Sequence, residues 1–189
     1  MKDFIVLLDS CVLYPAPLRS LFMYLAVTDL FQARWTLSIH EEWMRSVRND
    51  YPDITQAKLE RVRGLMNSHV RNCLVEDYES LIPSLTLPDP DDRHVLAAAI
   101  RGGANLIVTF NLRDFPKEVL TPFGIEAQHP DDFVSHLLNQ APAIVCAAVK
   151  RQRESLKAPP KTVAEFLDIL ARQSLPQTAA QLAAVAELI

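Results

Sequence analysis

The sequence predicts an α/β fold with a central, mostly parallel sheet, followed by a helical extension at the C-terminal end. Phe4–Leu8 and Ala104–Phe110 are short, continuous apolar runs, which is typical of strands buried on both faces of a parallel sheet. Stretches with apolar residues at helical spacing separate these two runs. Alternation of strands with helices favours parallel pairing through right-handed crossovers. Beyond about Gln140 the chain has no glycine and is rich in Ala, Leu and Gln, which indicates a purely helical segment.

The N-terminal half contains signals that start and stop helices. Pro15 and Pro17 permit a helix to begin soon after the first strand, and Ser38 is a suitable residue to open another. The predicted elements, in order, are a strand at 4–8, a helix from about 15 to 31, an extended segment at 35–37, a helix from 38 through 47, a helix at 53–66 that continues to 73, and a short strand at 74–76. The predicted inner face of the helix at 53–66 consists of Ile54, Leu59, Val62 and Leu65.

The C-terminal half begins with a proline-rich loop around Pro88. A helix over Asp92–Arg101 follows, and Gly102-Gly103 ends it because a glycine pair favours a helix stop. After the second buried strand, another helix can start beyond Asp114. The extension is predicted to form three helices, at about 141–156, 162–173 and 177–188. We therefore divide the chain into an α/β domain, 1–139, and a helical region, 140–189.

Composition excludes several classes of protein. Hydrophobic residues make up 49% and charged residues 22% of the 189 residues, as in a folded globular chain. No apolar run is long enough to span a bilayer or to form a signal-peptide core, so we expect a cytoplasmic protein without a membrane segment. The three cysteines are scattered, which indicates reduced thiols that fill the core and not a disulfide framework or a zinc site.

Acidic residues fall where a parallel sheet gathers its ligand sites. Asp9 ends the first strand, Asn111 and Asp114 follow the second buried strand, and acids also occur in the segments Ser38–Glu42 and Asp89–Asp92. The carboxyl ends of parallel strands meet at one edge of the sheet, and ligands bind there. The sequence therefore predicts that these acids form one pocket.

At these residues the chain resembles the PIN-domain family, in particular the branch of bacterial toxins of the VapC kind. The resemblance covers about residues 4 to 135, and its most specific stretch is DPDDRHVLAAAIRGGANLIVTFNLRDFP. It implies a PIN-like three-layer α/β/α sandwich with a central, mostly parallel sheet. Carried over to this sequence, the four catalytic and metal-binding acids of the family are Asp9, Glu42, Asp92 and Asp114.

The neighbours of these acids are expected to support them. Asn111 stands where many relatives carry an extra aspartate, and its amide oxygen can still coordinate or accept a hydrogen bond. Asp89, Ser10 and Thr109 are expected to hold or orient the acids without coordinating themselves. Glu41 is a rival for the role of Glu42.

The expected chemistry is metal-assisted hydrolysis. Several carboxylates in one cleft repel each other unless a cation neutralises them, and a set of oxygen ligands without paired Cys or His favours Mg²⁺ or Mn²⁺. The resemblance implies an endoribonuclease that leaves a 5′-phosphate and serves as the toxin of a toxin–antitoxin pair. It implies three partners: an RNA substrate, a small antitoxin that can carry a helix-turn-helix, and a second copy of the chain.

Basic residues add a candidate path for RNA. The protein has a net charge of −4, which argues against binding nucleic acid through overall basicity, yet the stretch from Trp43 to Cys73 has more Lys and Arg than acids. The candidate RNA-binding residues are Arg45, Arg48, Arg93 and Arg113. Such residues can equally form a solvated helix face or pair with nearby acids.

Other interpretations stay open at this point. Asp9, Asp92 and Asp114 each lie where a helix can begin, and aspartate is favoured there because it caps free backbone N–H groups. The histidines show no metal-binding spacing, so His40 and His94 are expected at the surface or behind the acids. A phosphatase with Asp9 as nucleophile is a rival, although enzymes of the haloacid dehalogenase kind need a second aspartate two positions on, where this chain has Cys11. A non-catalytic module that binds RNA or protein through the same fold is another.

Overall fold

The computed structural model of the protein describes residues 4–189; residues 1–3, the start of the predicted first domain, lie outside the described residues. The strands are β1 Ile5–Leu8, β2 Gln32–Arg34, β3 Leu106–Val108 and β4 Glu126–Gln128. The helices are α1 Ser10–Leu13, α2 Ala16–Ala26, α3 Leu37–Asp50, α4 Gln56–His69, α5 Arg93–Arg101, α6 Lys117–Leu120, α7 Pro130–Gln140, α8 Pro142–Ser155, α9 Val163–Arg172 and α10 Pro176–Ala183. Short 3₁₀ turns occur at Glu79–Ser84, Pro90–Asp92, Leu112–Asp114, Thr121–Phe123 and Ala186–Leu188.

The four strands form one parallel sheet in the order β2-β1-β3-β4. β1 and β3 are central, and all three residues of β3 are buried, as the continuous apolar runs predict. The chain leaves β1 toward β2 on one side and returns to β3 on the other. The order of the strands therefore reverses between β1 and β3, and the crevice at their carboxyl ends is the position where such sheets bind ligands. The predicted α/β fold with a helical extension is confirmed.

Several predicted boundaries are wrong. The extended segment is Gln32–Arg34 and not 35–37, and the following helix is capped by the Thr36 side chain, which accepts from the N–H of Ile39, and is not opened by Ser38. Leu74 makes only an isolated bridge to Trp35. These elements pair with neighbours that are distant in sequence, so local pattern alone misplaced them by a few residues.

The predicted bounds of the helix at 53–66, with its continuation to 73, are also wrong. α4 begins after the Thr55 cap and ends at His69, so it does not continue to residue 73. Leu65 is 49% exposed, whereas Met66 is buried and takes the inner position expected for Leu65. The Gly-Gly stop is confirmed: α5 ends at Arg101 with Gly102 as its C-cap, and Gly103 has a φ of +63°, a conformation that favours glycine.

A buried polar network fixes α3 against α4. The indole N–H of Trp43 donates to Nδ1 of His40 at 3.0 Å, and Nε2 of His40 lies 3.0 Å from the Asn67 side-chain oxygen, which also accepts from Trp35. His40 is therefore buried, and the expectation of a place at the surface or behind the acids is wrong for it. Burial lowers the pKa of His40 to about 4, so the ring is neutral near pH 7. The network orients α3 and so determines which of its residues face the sheet edge.

The helical extension shares one hydrophobic core with the sheet. Phe133 of α7, the helix that leads into the extension, stacks on Phe22 of α2 and meets the edge of Phe31, and α8 of the extension packs along α2. Gln152 of α8 donates to the backbone oxygen of Pro17 at 2.8 Å. No helix within residues 4–189 combines the length and the apolarity needed to cross a bilayer. The extension is thus a packed layer of the same body.

Asp131 joins the last helices. This residue of α7 is 2% exposed, and its two carboxylate oxygens each accept a backbone N–H at the start of α10, from Gln177 and Thr178, at 2.8 Å. A carboxylate at a helix N-terminus satisfies free donors and interacts favourably with the helix dipole. Asp131 therefore caps a helix that begins about 45 residues further along the chain.

We expect Asp131→Ala to lower the free energy of unfolding by about 3 kcal/mol, because two buried N–H groups lose a charged acceptor. Denaturant unfolding of the full chain measures the change. Asp132→Ala is the matched control: Asp132 is exposed and, among the residues that the structure describes, accepts only from the Gln177 side chain, so its loss costs about 0.5 kcal/mol or less. Equal losses in the two variants would contradict the capping role.

Candidate active site

Asp9 is held rigidly at the carboxyl end of β1. It is 3% exposed, and its Oδ1 accepts from the backbone N–H of Ser10 at 2.6 Å. Its Oδ2 accepts from the Thr109 hydroxyl at 2.7 Å and from the Cys11 thiol at 3.2 Å. The capping interpretation is therefore confirmed for Asp9, which caps α1. The additional contact with Thr109 ties the same carboxylate to the end of β3.

Cys11 belongs to this site. Its sulfur donates to Asp9 and accepts from the backbone N–H of Phe110 at 3.3 Å. Burial and the charge of Asp9 raise the pKa of Cys11 to about 12, so the thiol keeps its proton and acts as a donor. The expectation that every cysteine fills the core is wrong for Cys11, whereas Cys73 and Cys146 are buried in the core as expected.

Asp92 lies at the start of α5 and faces the other acids. Its side chain makes no capping hydrogen bond, and its buried Oδ2 has no partner within residues 4–189. Burial, together with the negative charges of Asp9, Asp89 and Asp114, raises the pKa of Asp92 to about 7. For Asp92 the capping interpretation is wrong. The repulsion also shows that acids from three separate segments converge on one place.

Asp114 approaches the cluster from the end of the segment that follows β3. It is half-buried at the last position of the 3₁₀ turn Leu112–Asp114, and its backbone N–H donates to the oxygen of Asn111 at 3.0 Å. α6 begins after Pro116, so the capping interpretation is wrong for Asp114 as well. The negative charge of its carboxylate contributes to the raised pKa of Asp92.

Glu42 reaches the same cluster through His94. The Nε2 of His94 lies 2.7 Å from Oε1 of Glu42. Burial opposes ionisation of Glu42, but hydrogen bonds from His94 and Ser10 outweigh it and hold the pKa of Glu42 below its usual value. Burial likewise opposes protonation of His94, and the pKa of His94 is nevertheless raised because it bonds to Glu42 and feels the charges of Asp9 and Asp92. Glu41 is exposed, so Glu42 is the residue that faces the cluster.

The supporting residues lie where the sequence places them, with different contacts. The side chain of Ser10 bonds to Glu42, and only its backbone N–H bonds to Asp9. Thr109 links the strand ends, since its hydroxyl donates to Asp9 and accepts from the backbone N–H of Asn111 at 3.0 Å. Asp89 is exposed and accepts from the N–H of Asp91 at 2.9 Å, and its charge acts on Asp92. The Asn111 side chain is exposed and makes no hydrogen bond within the described chain.

The four candidate RNA-binding arginines lie on α3, at the start of α5 and in the segment after β3. Arg45 and Arg48 are exposed on α3, and Arg48 donates to the side chain of Gln56. Arg93 donates to the backbone oxygen of Pro90 at 2.8 Å, and Arg113 is exposed after β3. None of the four forms an ion pair with a carboxylate in the part of the chain that the structure describes.

Two further residues belong to this site. His94 lies behind the acids, as one of its two expected places, and bonds to Glu42, while its Nδ1 is buried without a partner among residues 4–189. Cys11 is expected in the core. The spacing of both residues to the acids, two positions after Asp92 and two after Asp9, is the only available signal. Such spacing does not show which side chains meet across segments.

The acid cluster offers the oxygen ligands that hard cations prefer, although its side chains are not arranged as a complete metal site. Within residues 4–189 no group of three or more His, Cys, Asp or Glu side chains is arranged closely enough to hold a metal ion. Two observations nevertheless fit a cation: the buried Oδ2 of Asp92 lacks a partner, and the surrounding charges are carboxylates. Oxygen ligands of this kind suit Mg²⁺ or Mn²⁺.

Comparison with known proteins agrees with this fold. The model of the PIN domain matches residues 5–113, more than half of the chain, and the chain therefore belongs to the PIN-domain family. A second family model, the VapC50 C-terminal domain, matches residues 130–184. The resemblance to the PIN-domain family that the sequence predicts is thereby confirmed.

The name of one relative also contains VapC50. The protein named "Putative ribonuclease VapC50" of Mycobacterium tuberculosis (strain ATCC 25618 / H37Rv) is 43% identical over 90 residues, which are 48% of this chain and 53% of that protein. The match therefore spans about half of the length of that relative. No solved structure matches the chain.

The raised pKa of Asp92 predicts a pH-dependent gain in stability when its charge is removed. The folded pKa, about 7, lies above the unfolded value of 3.8, so ionisation of Asp92 reduces stability as pH rises through that window. We expect Asp92→Asn to raise the free energy of unfolding at pH 8 by about 1 kcal/mol, after allowance for solvent screening, and to leave it nearly unchanged at pH 4.

Thermal unfolding in chelator at the two pH values measures this difference. Asp91→Asn is the matched control, because Asp91 is exposed and its charge does not act on Asp92. A gain for Asp91→Asn as large as that for Asp92→Asn would point to general surface charge and not to the acid cluster.

Proposed function

We propose that this protein is a divalent-metal-dependent endoribonuclease that hydrolyses RNA phosphodiester bonds and serves as the toxin of a toxin–antitoxin pair. The enzymatic part of the proposal rests on one observation: burial and the negative charges of Asp9, Asp89 and Asp114 raise the pKa of Asp92 to about 7. Groups with strongly shifted pKa values cluster at functional sites, and sheets of this type bind ligands where the strand order reverses. The PIN-domain membership and the ribonuclease name of the relative support this class.

Asp9, Glu42, Asp92 and Asp114 would hold the ion, with Mg²⁺ or Mn²⁺ as the preferred cation. A bound ion of this type polarises a phosphodiester oxygen and makes a water a better nucleophile. The chain's own residues prepare the site for it. Thr109 and Cys11 fix one oxygen of Asp9, and His94 and Ser10 hold Glu42 ionised.

Two rival functions have less support. In the phosphatase alternative, Asp9 would attack a phosphoryl group, but this chain has Cys11 where that class of enzyme needs a second aspartate. A non-catalytic binding module with this fold does not require four separate segments to bring acids together against their mutual repulsion. Such a module would instead gain stability from losing them.

The partners and the division of the chain follow from the same proposal. RNA is the substrate, a small antitoxin is the inhibitor, and a second copy of the chain completes a homodimer. Residues 1–139 form the nuclease domain, and 140–189 form a helical region that contributes to partner binding or to the choice of RNA. The match of residues 130–184 to the VapC50 C-terminal domain supports a specialised role for the extension.

We expect the wild-type chain to cleave single-stranded RNA with Mg²⁺ or Mn²⁺ and not in EDTA, and Asp9→Asn to reduce kcat by roughly a hundredfold or more, because the fixed carboxylate loses its charge. Gel analysis of labelled RNA measures the rate. Glu41→Gln is the matched control, since Glu41 is the exposed neighbour of Glu42, and it should keep nearly full activity.

The toxin role is tested in cells with the same variants. Expression of the wild-type chain should arrest bacterial growth, Asp9→Asn should not, and co-expression of a short reading frame from beside the gene should restore growth. Cleavage by Asp9→Asn at the wild-type rate would refute the metal-dependent mechanism. Growth arrest by that variant would refute a toxin role that depends on cleavage.

The arginines predict a salt-sensitive step in RNA binding. Arg45 is exposed on α3, one turn beyond Glu42, and we expect Arg45→Glu to raise KM several-fold while kcat changes little, since a phosphate contact positions the substrate. The slope of log affinity against log salt should become shallower by about 0.7 for each phosphate that the protein no longer neutralises. Arg172→Glu on α9 is the charge-matched control. An equal effect of both variants would indicate net charge and not a path along α3.

A further inference from the structure

A groove of about 350 Å³ lies between α1 and α3, beside the acid cluster. We name it the α1–α3 groove, and its lining residues are Ser10, Cys11, Tyr14, Trp43, Ser46 and Asp50. Its volume is at the lower end of the range for pockets that bind small ligands. The family resemblance assigns no role to Tyr14, Ser46 or Asp50.

The groove is continuous with the candidate active site. Ser10 and Cys11 line it and also contact the acids, since Ser10 bonds to Glu42 and Cys11 donates to Asp9. On α3, Ser46 and Asp50 follow Glu42 at intervals of four residues, which places all three on one face of the helix. An RNA whose phosphate lies at the acids would therefore bring an adjacent nucleotide to this groove.

The groove offers an aromatic side chain and an open carboxylate. Tyr14 is half-buried, and its hydroxyl donates to Oδ2 of Asp50 at 2.5 Å, which raises the pKa of Tyr14 to about 12. Asp50 is exposed, and its Oδ1 accepts no hydrogen bond from residues 4–189. Trp43 is buried, with the Arg19 guanidinium 4.4 Å from its ring centroid, so Tyr14 is the accessible aromatic ring among the lining residues.

The charge of Asp50 determines what the groove can accept. A carboxylate repels the phosphate backbone and attracts N–H donors. Single-stranded RNA is commonly recognised by bases that stack on aromatic side chains and are hydrogen-bonded along their Watson–Crick edges. A nucleobase with N–H donors on that edge fits the groove better than a phosphate or a ribose.

Resting on the proposed ribonuclease function, we propose that the α1–α3 groove is a base-binding subsite that selects guanine beside the cleaved bond. Asp50 accepts from the two neighbouring donors of guanine, N1–H and the exocyclic amino group, while the ring of Tyr14 packs against the base. Adenine and cytosine offer one donor next to an acceptor nitrogen. Uracil offers one N–H between two carbonyl oxygens, which a carboxylate repels.

The test uses the full chain with Mg²⁺ and oligoribonucleotides that differ only at the two positions flanking the cleaved bond. The varied residue is guanosine, inosine, adenosine, cytidine or uridine; inosine keeps N1–H and lacks the amino group. We expect kcat/KM for guanosine to exceed that for inosine and uridine roughly tenfold or more, since one charge-assisted hydrogen bond is missing in each case.

Variants of the groove identify the residue responsible. Asp50→Asn should bring the ratio of guanosine to inosine close to one by lowering kcat/KM for the guanosine substrate. Asp53→Asn is the matched control: it removes the same charge from an exposed residue just beyond α3, outside the groove, and should keep the wild-type ratio. Tyr14→Leu should raise KM for every substrate roughly fivefold or more through loss of stacking.

Binding separates failure of this proposal from failure of the proposed function. Fluorescence anisotropy of the same oligonucleotides with Asp92→Asn protein, which keeps the groove intact, reports base preference without cleavage. If wild type cleaves none of the substrates, the ribonuclease function fails, and anisotropy alone then decides the subsite. Equal binding of guanosine and inosine oligonucleotides would overturn the subsite, and so would absence of RNA binding. A uniform loss of kcat/KM in Asp50→Asn on all five substrates would also overturn it, and would show that the Tyr14–Asp50 hydrogen bond only holds α1 against α3.

Discussion

The repulsion between carboxylates at the carboxyl ends of β1 and β3 is the constraint around which this structure is arranged. The effect of this repulsion is clearest at Asp92, because burial and neighbouring charges together raise the pKa of Asp92 to about 7. Such an arrangement weakens the folded state unless something compensates. The compensation visible in the chain is local: backbone N–H, hydroxyl and thiol donors hold Asp9, and Nε2 of His94 lies within hydrogen-bond distance of Glu42.

The scaffold can carry that repulsion because the strands beneath it lie in the core. β1 and β3 are adjacent and parallel, and the hydrogen bond from the N–H of Asp9 to the oxygen of Val108 extends their pairing to the edge of the site. α3 and α5 then bring Glu42 and Asp92 to the same edge from distant parts of the chain. The neutral His40 of α3 pairs with Trp43 of the same helix and with Asn67 of α4 inside the core, and this fixes the rotation of α3.

The helical extension contributes stability at a distance from the acids. Asp131 caps α10 from α7, and the aromatic contacts of Phe133 join α7 to α2. α2 follows directly from the turn that carries Asp9 and Ser10. The extension therefore supports the first segment of the site through shared core contacts, whatever partner its outer surface meets.

Much of this protein can be predicted from the sequence alone, where local chemistry is sufficient. Continuous apolar runs identify β1 and β3 because strands buried on both faces need no polar alternation, and the Gly102-Gly103 pair ends α5 because Gly103 adopts a positive φ. The order of acids along the chain identifies the four candidate ligands by resemblance. Each of these features depends on a few consecutive residues or on a linear pattern.

Tertiary structure alone decided which side chains meet. Whether Glu41 or Glu42 faces the acids depended on the rotation of α3, which buried contacts with α4 determine. β4 is too short and polar to be recognised by pattern, and it exists because it pairs with β3. Cys11, His94 and the pair Tyr14–Asp50 acquired their contacts in the same way. Hydrogen bonds and charge repulsion act over a few ångströms in space, whereas the residues involved lie up to 100 positions apart in sequence, so no local pattern in the chain could have paired them.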